Sequence, residues 1–197
     1  MERAISEDGS MVELRSDGTW ARTSSTVGAT GDFRGVPWGV SKDYVRDKEA
    51  QPATYEGDDL LVYPQRLSDM DAEAVYIFLS GRLVRAKYIF REEFTNENRY
   101  IDAYYRVKAL FSGKYGEPKD DHTIWRDDLY RDDPDDWGRA VERGDLTFMT
   151  TWATPATELA LLLHGNNFQS HLEVEYTSVL LQPWAESTTT AVEHDLI

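Results

Sequence analysis

Apolar and polar side chains alternate along several short segments of the chain, and this alternation is typical of β-strands with one buried face. Residues 11–15 and 19–23 flank the turn residues Ser16-Asp17-Gly18, so they predict an N-terminal β-hairpin. The small and polar residues at 24–32 then predict a linker to the main body.

The same alternation predicts further strands after the linker. Ser80-Gly81 is a turn pair that predicts a tight hairpin between two of them. The predicted strands are residues 60–64, 73–79, 83–91, 122–126, 146–153, 157–164 and 172–180.

The predicted strand 83–91 has one apolar face and one basic face. The apolar face comprises Val84, Ala86, Tyr88 and Phe90, and the other face comprises Leu83, Arg85, Lys87, Ile89 and Arg91. Arg85, Lys87 and Arg91 therefore form a predicted basic stripe. Two interpretations are open: the stripe pairs across strands with acids such as Glu73, Glu173 or Glu175, or it meets an acidic partner.

Three segments carry helix signals instead. Ser41 is a suitable N-cap for a short helix at 42–49. Apolar residues recur every three or four positions between 97 and 115, and Gly116 follows as a stop signal, so this segment predicts a long amphipathic helix. Asp133 and Pro134 predict the start of a third helix, which Gly144 ends.

This order of elements predicts an α+β fold in which antiparallel sheet is packed by helices. Because a helix and strands occur in turn twice, a duplicated helix-plus-sheet unit is a hypothesis for the topology. We expect a hairpin and linker at 1–32, one α+β domain at 33–184 with halves at 33–94 and 95–184, and a flexible tail at 185–197.

The most informative feature of the composition is its net charge. The 197 residues include 36 acids and 21 Lys or Arg, giving a net charge of −15. Nucleic acid binding needs a basic surface, so nucleic acid is excluded as an expected partner. The acidic charge either keeps the protein soluble, which is the simpler interpretation, or suits a basic partner or a cation. The aromatic fraction of 12% is too high for a disordered chain, so we expect a folded protein.

The sequence lacks the motifs that several kinds of catalytic and cofactor chemistry require. The chain has no cysteine, which excludes disulfides, a thiolate nucleophile and Cys-based zinc sites. It has no phosphate loop, no dinucleotide fingerprint and no Gly-x-Ser-x-Gly elbow, so we expect no cofactor and assign no catalytic residue. His164 and His171 flank a loop at 165–170 and can meet across a hairpin, where a structural role is the simpler interpretation.

Paired aspartates form an acidic cluster between residues 120 and 136. Their spacing does not match a calcium loop of the EF-hand type, and helix capping and solvation account for most of them. We therefore expect no metal site.

Aromatic residues outside the regular core pattern are further candidates for a binding surface, since Trp and Tyr are enriched at interaction hot spots. They are Trp125, Tyr130, Trp137 and Trp184. The alternative is that each is partly buried at the edge of the core. Together with the basic stripe, Trp125, Tyr130 and Trp137 are the predicted binding residues.

Two motifs resemble segments of uncharacterised bacterial proteins, many of them exported or lipid-anchored. They are E-D-G-x-x-V-x-L-x-x-D-G-T-W at 7–20 and F-R-G-x-x-W-G-x-S at 33–41. The element order is also similar to that of the beta-lactamase inhibitory protein, and one unit of it to small outer-membrane assembly lipoproteins. These resemblances imply a sheet with a partner-binding face and carry no catalytic residue.

The sequence thus predicts a non-enzymatic interaction module of the bacterial envelope, with another protein as its partner. The alternatives are a carboxylate-based hydrolase, since 36 acids leave many possible pairs, and a structural envelope protein. No transmembrane segment or signal peptide is visible. We expect a periplasmic or envelope location if a signal peptide has been removed, and a cytoplasmic one otherwise.

Overall fold

A computed structural model of the protein describes residues 3–5, 11–14, 19–22 and 32–182. The strands in these residues are β1 (Arg3–Ile5), β2 (Met11–Leu14), β3 (Trp20–Arg22), β4 (Tyr55–Glu56), β5 (Leu60–Leu67), β6 (Met70–Leu79), β7 (Arg82–Phe90), β8 (Asp120–Trp125), β9 (Leu146–Ala153), β10 (Thr157–Asn166) and β11 (Gln169–Ser178). The helices are α1 (Lys42–Lys48), α2 (Asn98–Tyr115) and α3 (Trp137–Arg143), the last preceded by a 3-10 turn at Pro134–Asp136.

The strands form two antiparallel sheets. The predicted N-terminal hairpin is confirmed as β2 paired with β3, and β1, which the sequence pattern did not predict, adds a third strand beside β2. The predicted tail at 185–197 and the linker residues 24–31 lie outside the described residues.

The main sheet has eight strands in the order β4-β5-β6-β7-β11-β10-β9-β8. Each half of the chain contributes four consecutive strands, and the last strand of each half, β7 and β11, pair in the middle, with Ala86 opposite Tyr176. The predicted α+β fold is therefore present. The mirrored strand order fits the hypothesis of a repeated unit, which remains a hypothesis about how the fold arose.

All three helices pack on one face of this sheet, and alternate residues of the strands supply the other side of the core. Along β10, Leu159, Leu161 and Leu163 are buried, and the intervening residues are not. Helix α2 presents Tyr104 and Phe111 to them among its buried residues. Its predicted bounds are confirmed within one residue, because Asn96 Oδ1 accepts a hydrogen bond from the Asn98 amide at 3.0 Å and the chain leaves the helix at Gly116, where φ is +86°.

The shorter helices lie near their predicted bounds: α1 ends one residue before the predicted position 49, and the predicted third helix begins as a 3-10 turn at Pro134 that leads into α3. Ser41 Oγ accepts a hydrogen bond from the Tyr44 amide at the start of α1. Asp133 caps the 3-10 turn by accepting from the Asp135 amide, and Gly144 ends α3 with φ +80°. Local capping chemistry therefore accounts for all three boundaries.

Strand β5 runs further than its pattern predicted. β5 does not end at Pro64 but continues to Leu67 and turns at Ser68-Asp69. Proline is tolerated there because β4 pairs only with Leu61 and Val62, so the missing N–H of Pro64 faces no backbone acceptor on that edge.

A β-bulge corrects the predicted faces of β7. The register between β6 and β7 shifts after Ile77, so Leu83 lies opposite Phe78 and is fully buried in the core. Val84, predicted for the apolar core face, is buried but is not part of the core cluster. The prediction assumed strict alternation, and the extra residue of the bulge breaks it.

The F-R-G-x-x-W-G-x-S motif forms the connection that enters the core ahead of α1. Arg34 and Gly35 have φ of +53° and +78° and make a tight turn between Phe33 and Val36. The Phe33 ring sits among three core tyrosines, with centroid distances of 5.1 Å to Tyr76, 4.9 Å to Tyr88 and 4.8 Å to Tyr176. In this protein the motif has a structural role at the junction of the two halves.

Candidate functional site: the open face of the eight-stranded sheet

The face of the main sheet opposite the helices, here called the open face, carries most of the polar strand residues. No helix among the described residues covers it. Exposure varies across it: Val75 on β6 is 6% exposed, whereas Arg85 on β7 has 47% of its side chain exposed. We therefore consider the part of this face from β7 to β8 as the candidate site.

The predicted basic stripe crosses the middle of the open face and is paired with acids on neighbouring strands. Lys87 Nζ lies 3.1 Å from Glu173 Oε2 and 3.2 Å from Glu175 Oε1. Arg85 pairs with the same Glu175 at 3.3 Å. These contacts join β7 to β11, so they stabilise the seam between the two halves of the sheet.

Arg91 at the other end of the stripe pairs with Glu73 of β6, with 3.0 Å between Arg91 Nε and Glu73 Oε2. The three acids that the sequence suggested as cross-strand partners are thus the ones that the structure places there. Burial alone would lower the pKa of Lys87, but hydrogen bonds and charges from Glu173 and Glu175 raise it above its ordinary value. The stripe is therefore a set of fixed ion pairs, and its binding role stays a prediction.

The predicted aromatic binding residues do not lie on the open face with the stripe. Trp125 and Trp137 are partly buried and meet edge to face, with centroids 5.7 Å apart. Trp137 Nε1 donates to the Arg131 carbonyl at 3.1 Å, and Tyr130 is also partly buried. These side chains close the core at the end of β8 and α3. The structure thus agrees with the alternative interpretation, in which these aromatic residues are partly buried at the edge of the core. Trp184 lies outside the described residues.

His164 and His171 meet across the β10–β11 hairpin, as the sequence suggested, with stacked rings 5.4 Å apart. The loop between them is shorter than predicted, because the strands continue through Asn166 and Gln169 and only two residues turn. Burial, the neighbouring His164 and the charge of Arg91 lower the pKa of His171, although Glu173 opposes them. His164 Nε2 is 3.7 Å from Glu173 Oε1, so the histidine pair lies next to the Lys87–Glu173 ion pair.

The paired aspartates between residues 120 and 136 are mostly engaged in local contacts. The contacts are Asp120 with Thr151, Asp121 with Thr150 and Lys108, Asp127 with the Leu129 amide, Asp128 with Arg131, Asp133 with the Asp135 amide, and Asp136 with Arg139. Within residues 32–182 and the three short N-terminal strands, no three carboxylate or histidine side chains converge to hold a metal ion. Capping and ion pairing therefore describe this cluster.

A concavity of about 200 Å³ lies on the open face of the main sheet, across β8 to β11. No sequence pattern predicted it. Two alanines, Ala153 and Ala160, are among the residues that line it. Three carboxylates, from Asp120, Glu158 and Glu175, line its wall. These residues belong to four strands and are far apart in sequence. The one local signal is an alanine at an outward position of β10.

No family model, no curated protein and no solved structure matches this chain. The resemblances drawn from its two motifs and its element order therefore remain predictions. What can be said of this α+β protein follows from its own fold and from the ion pairs and concavity of its open face.

The longest helix, α2, is amphipathic rather than uniformly apolar. None of the helices in the described residues has the length and apolar character needed to cross a membrane.

Proposed function

We propose that this protein is a non-enzymatic binding module that docks a basic segment of a partner protein on its open face. One observation carries the proposal: Asp120, Glu158 and Glu175 line a concavity on the eight-stranded sheet. Placement in the bacterial envelope is part of the proposal and rests on the motif resemblances alone.

The charges around the concavity favour a cationic side chain. Glu175 is shared with Arg85 and Lys87, but the Asp120 carboxylate accepts a hydrogen bond only from the Thr151 hydroxyl, at 3.1 Å. Glu158 is exposed, and its carboxylate makes no hydrogen bond or ion pair with the other described residues. Lys119 also lines the concavity. The three carboxylates beside it and the net charge of −15 nevertheless favour a positively charged group as the ligand.

The size of the concavity favours a single side chain over a free small molecule. Pockets that enclose small ligands usually measure roughly 300–1,000 Å³, and this one has about 200 Å³. An arginine or lysine head group fits such a volume, and the rest of its chain would lie on the surrounding sheet surface. The partner is therefore proposed to be a protein rather than a metabolite.

The geometry gives less support to a carboxylate-based hydrolase. A general acid needs a carboxyl group that is shielded from water and from cations so that it retains its proton. Asp120 and Glu158 are exposed, and Glu175 contacts two cations. None of the three has the surroundings of a general acid.

The proposal can be tested by titrating the protein with the peptide acetyl-Gly-Arg-Gly-amide and following backbone amide signals by NMR. We expect saturable shifts centred on Thr151, Ala160 and Thr177, and none with the citrulline peptide, which lacks the charge. Glu158→Arg should abolish them. Asp102→Arg is the matched control, because it makes the same charge change on an exposed position of α2, on the opposite face.

Shifts spread evenly over the acidic surface, or equal in the two variants, would show that only net charge attracts the peptide. Turnover of glycoside or ester substrates that is lost in Glu158→Gln would support the hydrolase instead.

A further inference from the structure

The tip of the β10–β11 hairpin combines two unusual properties at Phe168. Its side chain is 70% exposed, the highest fraction among the large apolar residues that the structure describes. Its φ is +58°, in the left-handed region that a bulky residue rarely adopts. The strained backbone at Phe168 costs stability, and its exposed phenyl ring gains no burial in return within the described residues.

The other two-residue turns of the main sheet show what this geometry ordinarily requires. Ser68-Asp69 and Ser80-Gly81 also have positive φ at both positions, and they use small or polar residues. Asn167 follows that rule, with φ +52°, but the position after it, where glycine is favoured, holds Phe168. The aromatic residue is therefore not explained by the turn.

The hairpin is also free of fixed charge in a highly charged protein. Residues 164–171 read H-G-N-N-F-Q-S-H and contain no Asp, Glu, Lys or Arg, whereas charged residues make up 29% of the chain. An aromatic anchor surrounded by Asn, Gln and Ser is the composition of loops that bind other proteins, because the ring supplies contact area and the amides supply adaptable hydrogen bonds.

The base of the hairpin holds the tip rigidly. β10 and β11 remain paired up to Asn166 opposite Gln169, and His164 stacks on His171. Gly165 lies so close to α3 that a Cβ there would be 1.8 Å from the Val141 carbonyl oxygen. A preorganised tip loses little conformational entropy when it binds.

We propose that Phe168 is a docking residue that inserts into an apolar, polar-rimmed pocket of a partner protein. A membrane surface fits less well, because interfacial anchors pair their aromatic residues with Lys or Arg and this hairpin has neither. The site is separate from the concavity: Glu158 and Asn166 stand near opposite ends of β10, roughly 25 Å apart at the usual rise per residue.

The test begins with p-benzoylphenylalanine placed at position 168 of the full chain in its host cells, with the same photoreactive residue at Leu129 as control. Leu129 is 66% exposed and lies outside the hairpin. We expect one protein adduct specific to position 168. Adducts equal at both positions, adducts only with a second copy of this chain, or adducts with lipid would overturn the proposal.

The captured protein is then purified and its affinity for the native chain compared with that for Phe168→Gly and Leu129→Gly. We expect Phe168→Gly to weaken binding by about 30-fold or more, as hot-spot residues do, and Leu129→Gly to leave it unchanged. Because glycine suits the turn, Phe168→Gly should melt at or above the native temperature. A lower melting temperature would mean that Phe168 has a structural role. Unchanged affinity would mean that Phe168 does not contribute to docking.

These outcomes are independent of the proposed function. Phe168→Gly leaves the concavity intact, and Glu158→Arg leaves the hairpin tip intact, so either proposal can fail while the other stands.

Discussion

Arg34, a residue of the motif at 33–41, forms a partly buried polar network with Glu49 and Tyr76 at the end of α1. Arg34 holds the Glu49 carboxylate through two hydrogen bonds of 2.9 Å, and Tyr76 donates its hydroxyl proton to the same carboxylate. The Glu49 side chain is only 5% exposed. Burial alone would raise the pKa of Glu49, but the hydrogen bonds from Arg34 and Tyr76 and the charge of Arg34 lower it below its ordinary value. The network therefore stabilises the fold only while Glu49 is ionised.

We expect the stabilisation from Glu49 to be fully present above its unfolded pKa of about 4.5 and to be lost as the pH falls through the lower folded-state pKa. Glu49→Gln should thus lower the free energy of unfolding most at pH 7, and the difference from the native protein should shrink below pH 4.5. Urea unfolding between pH 7 and pH 3 measures this. The control Glu56→Gln removes an exposed partner of Arg46 and should change the free energy of unfolding little at pH 7, because water screens exposed ion pairs. A difference that does not vary with pH would contradict the expectation.

In the second half of the chain, α3 packs against the β10–β11 hairpin through close backbone contact. Gly165 faces the last turn of α3, where a Cβ would lie 1.8 Å from the Val141 carbonyl oxygen and 2.6 Å from that of Glu142. Both neighbours are backbone atoms, so a side chain at this position could be accommodated only if the helix moved. Glycine here fixes the distance between helix and sheet.

Gly165→Ala should lower the free energy of unfolding by about 1–3 kcal/mol, as overpacking of a tight contact does. Gly113→Ala is the matched control, because Gly113 lies in α2 with open space where its Cβ would be added. Alanine is the better helix former by up to about 1 kcal/mol, so this variant should gain stability. Urea midpoints of the two variants measure the contrast. If both variants shifted the urea midpoint equally and in the same direction, α3 would have to move freely to accommodate the added methyl group at position 165.

The whole molecule depends on the junction of its two halves. β7 pairs with β11 in the centre of the sheet, and the Phe33 ring contacts tyrosines of both strands. Trp38 adds a second link, since its Nε1 donates to Thr157 Oγ1 of β10 at 2.8 Å. Because the core is continuous across this junction, the halves should unfold as one unit.

We expect Trp38→Phe to lower the free energy of unfolding by about 1–3 kcal/mol, because it leaves the buried Thr157 hydroxyl without this donor. Hydrogen exchange should show the slowest amides of β5 and β10 accelerating by the same factor, since both are protected by the same global transition. Trp38 belongs to the first half and Thr157 to the second. Acceleration confined to β10 would show that the halves open separately.

Several features could be predicted because they depend on neighbouring residues alone. The period of apolar positions and the stop at Gly116 fixed α2 within one residue, and Ser80-Gly81 gave the hairpin between β6 and β7. The pairing of the basic stripe with Glu73, Glu173 and Glu175 was one of the two interpretations that the sequence left open, since alternation placed all these charges on one face.

Other features depend on which strands become neighbours. Leu83 was assigned to the wrong face because a bulge arises from the register with β6, and the continuation of β5 past Pro64 depends on how short β4 is. The sequence by itself determined the fold class, the helix ends and the charge pattern of each strand, because capping and periodicity act over a few residues. Only the tertiary structure brought Asp120, Glu158 and Glu175 around one concavity and left Phe168 exposed at a hairpin tip. Strand order and packing decide those positions, and they join residues that the chain keeps far apart.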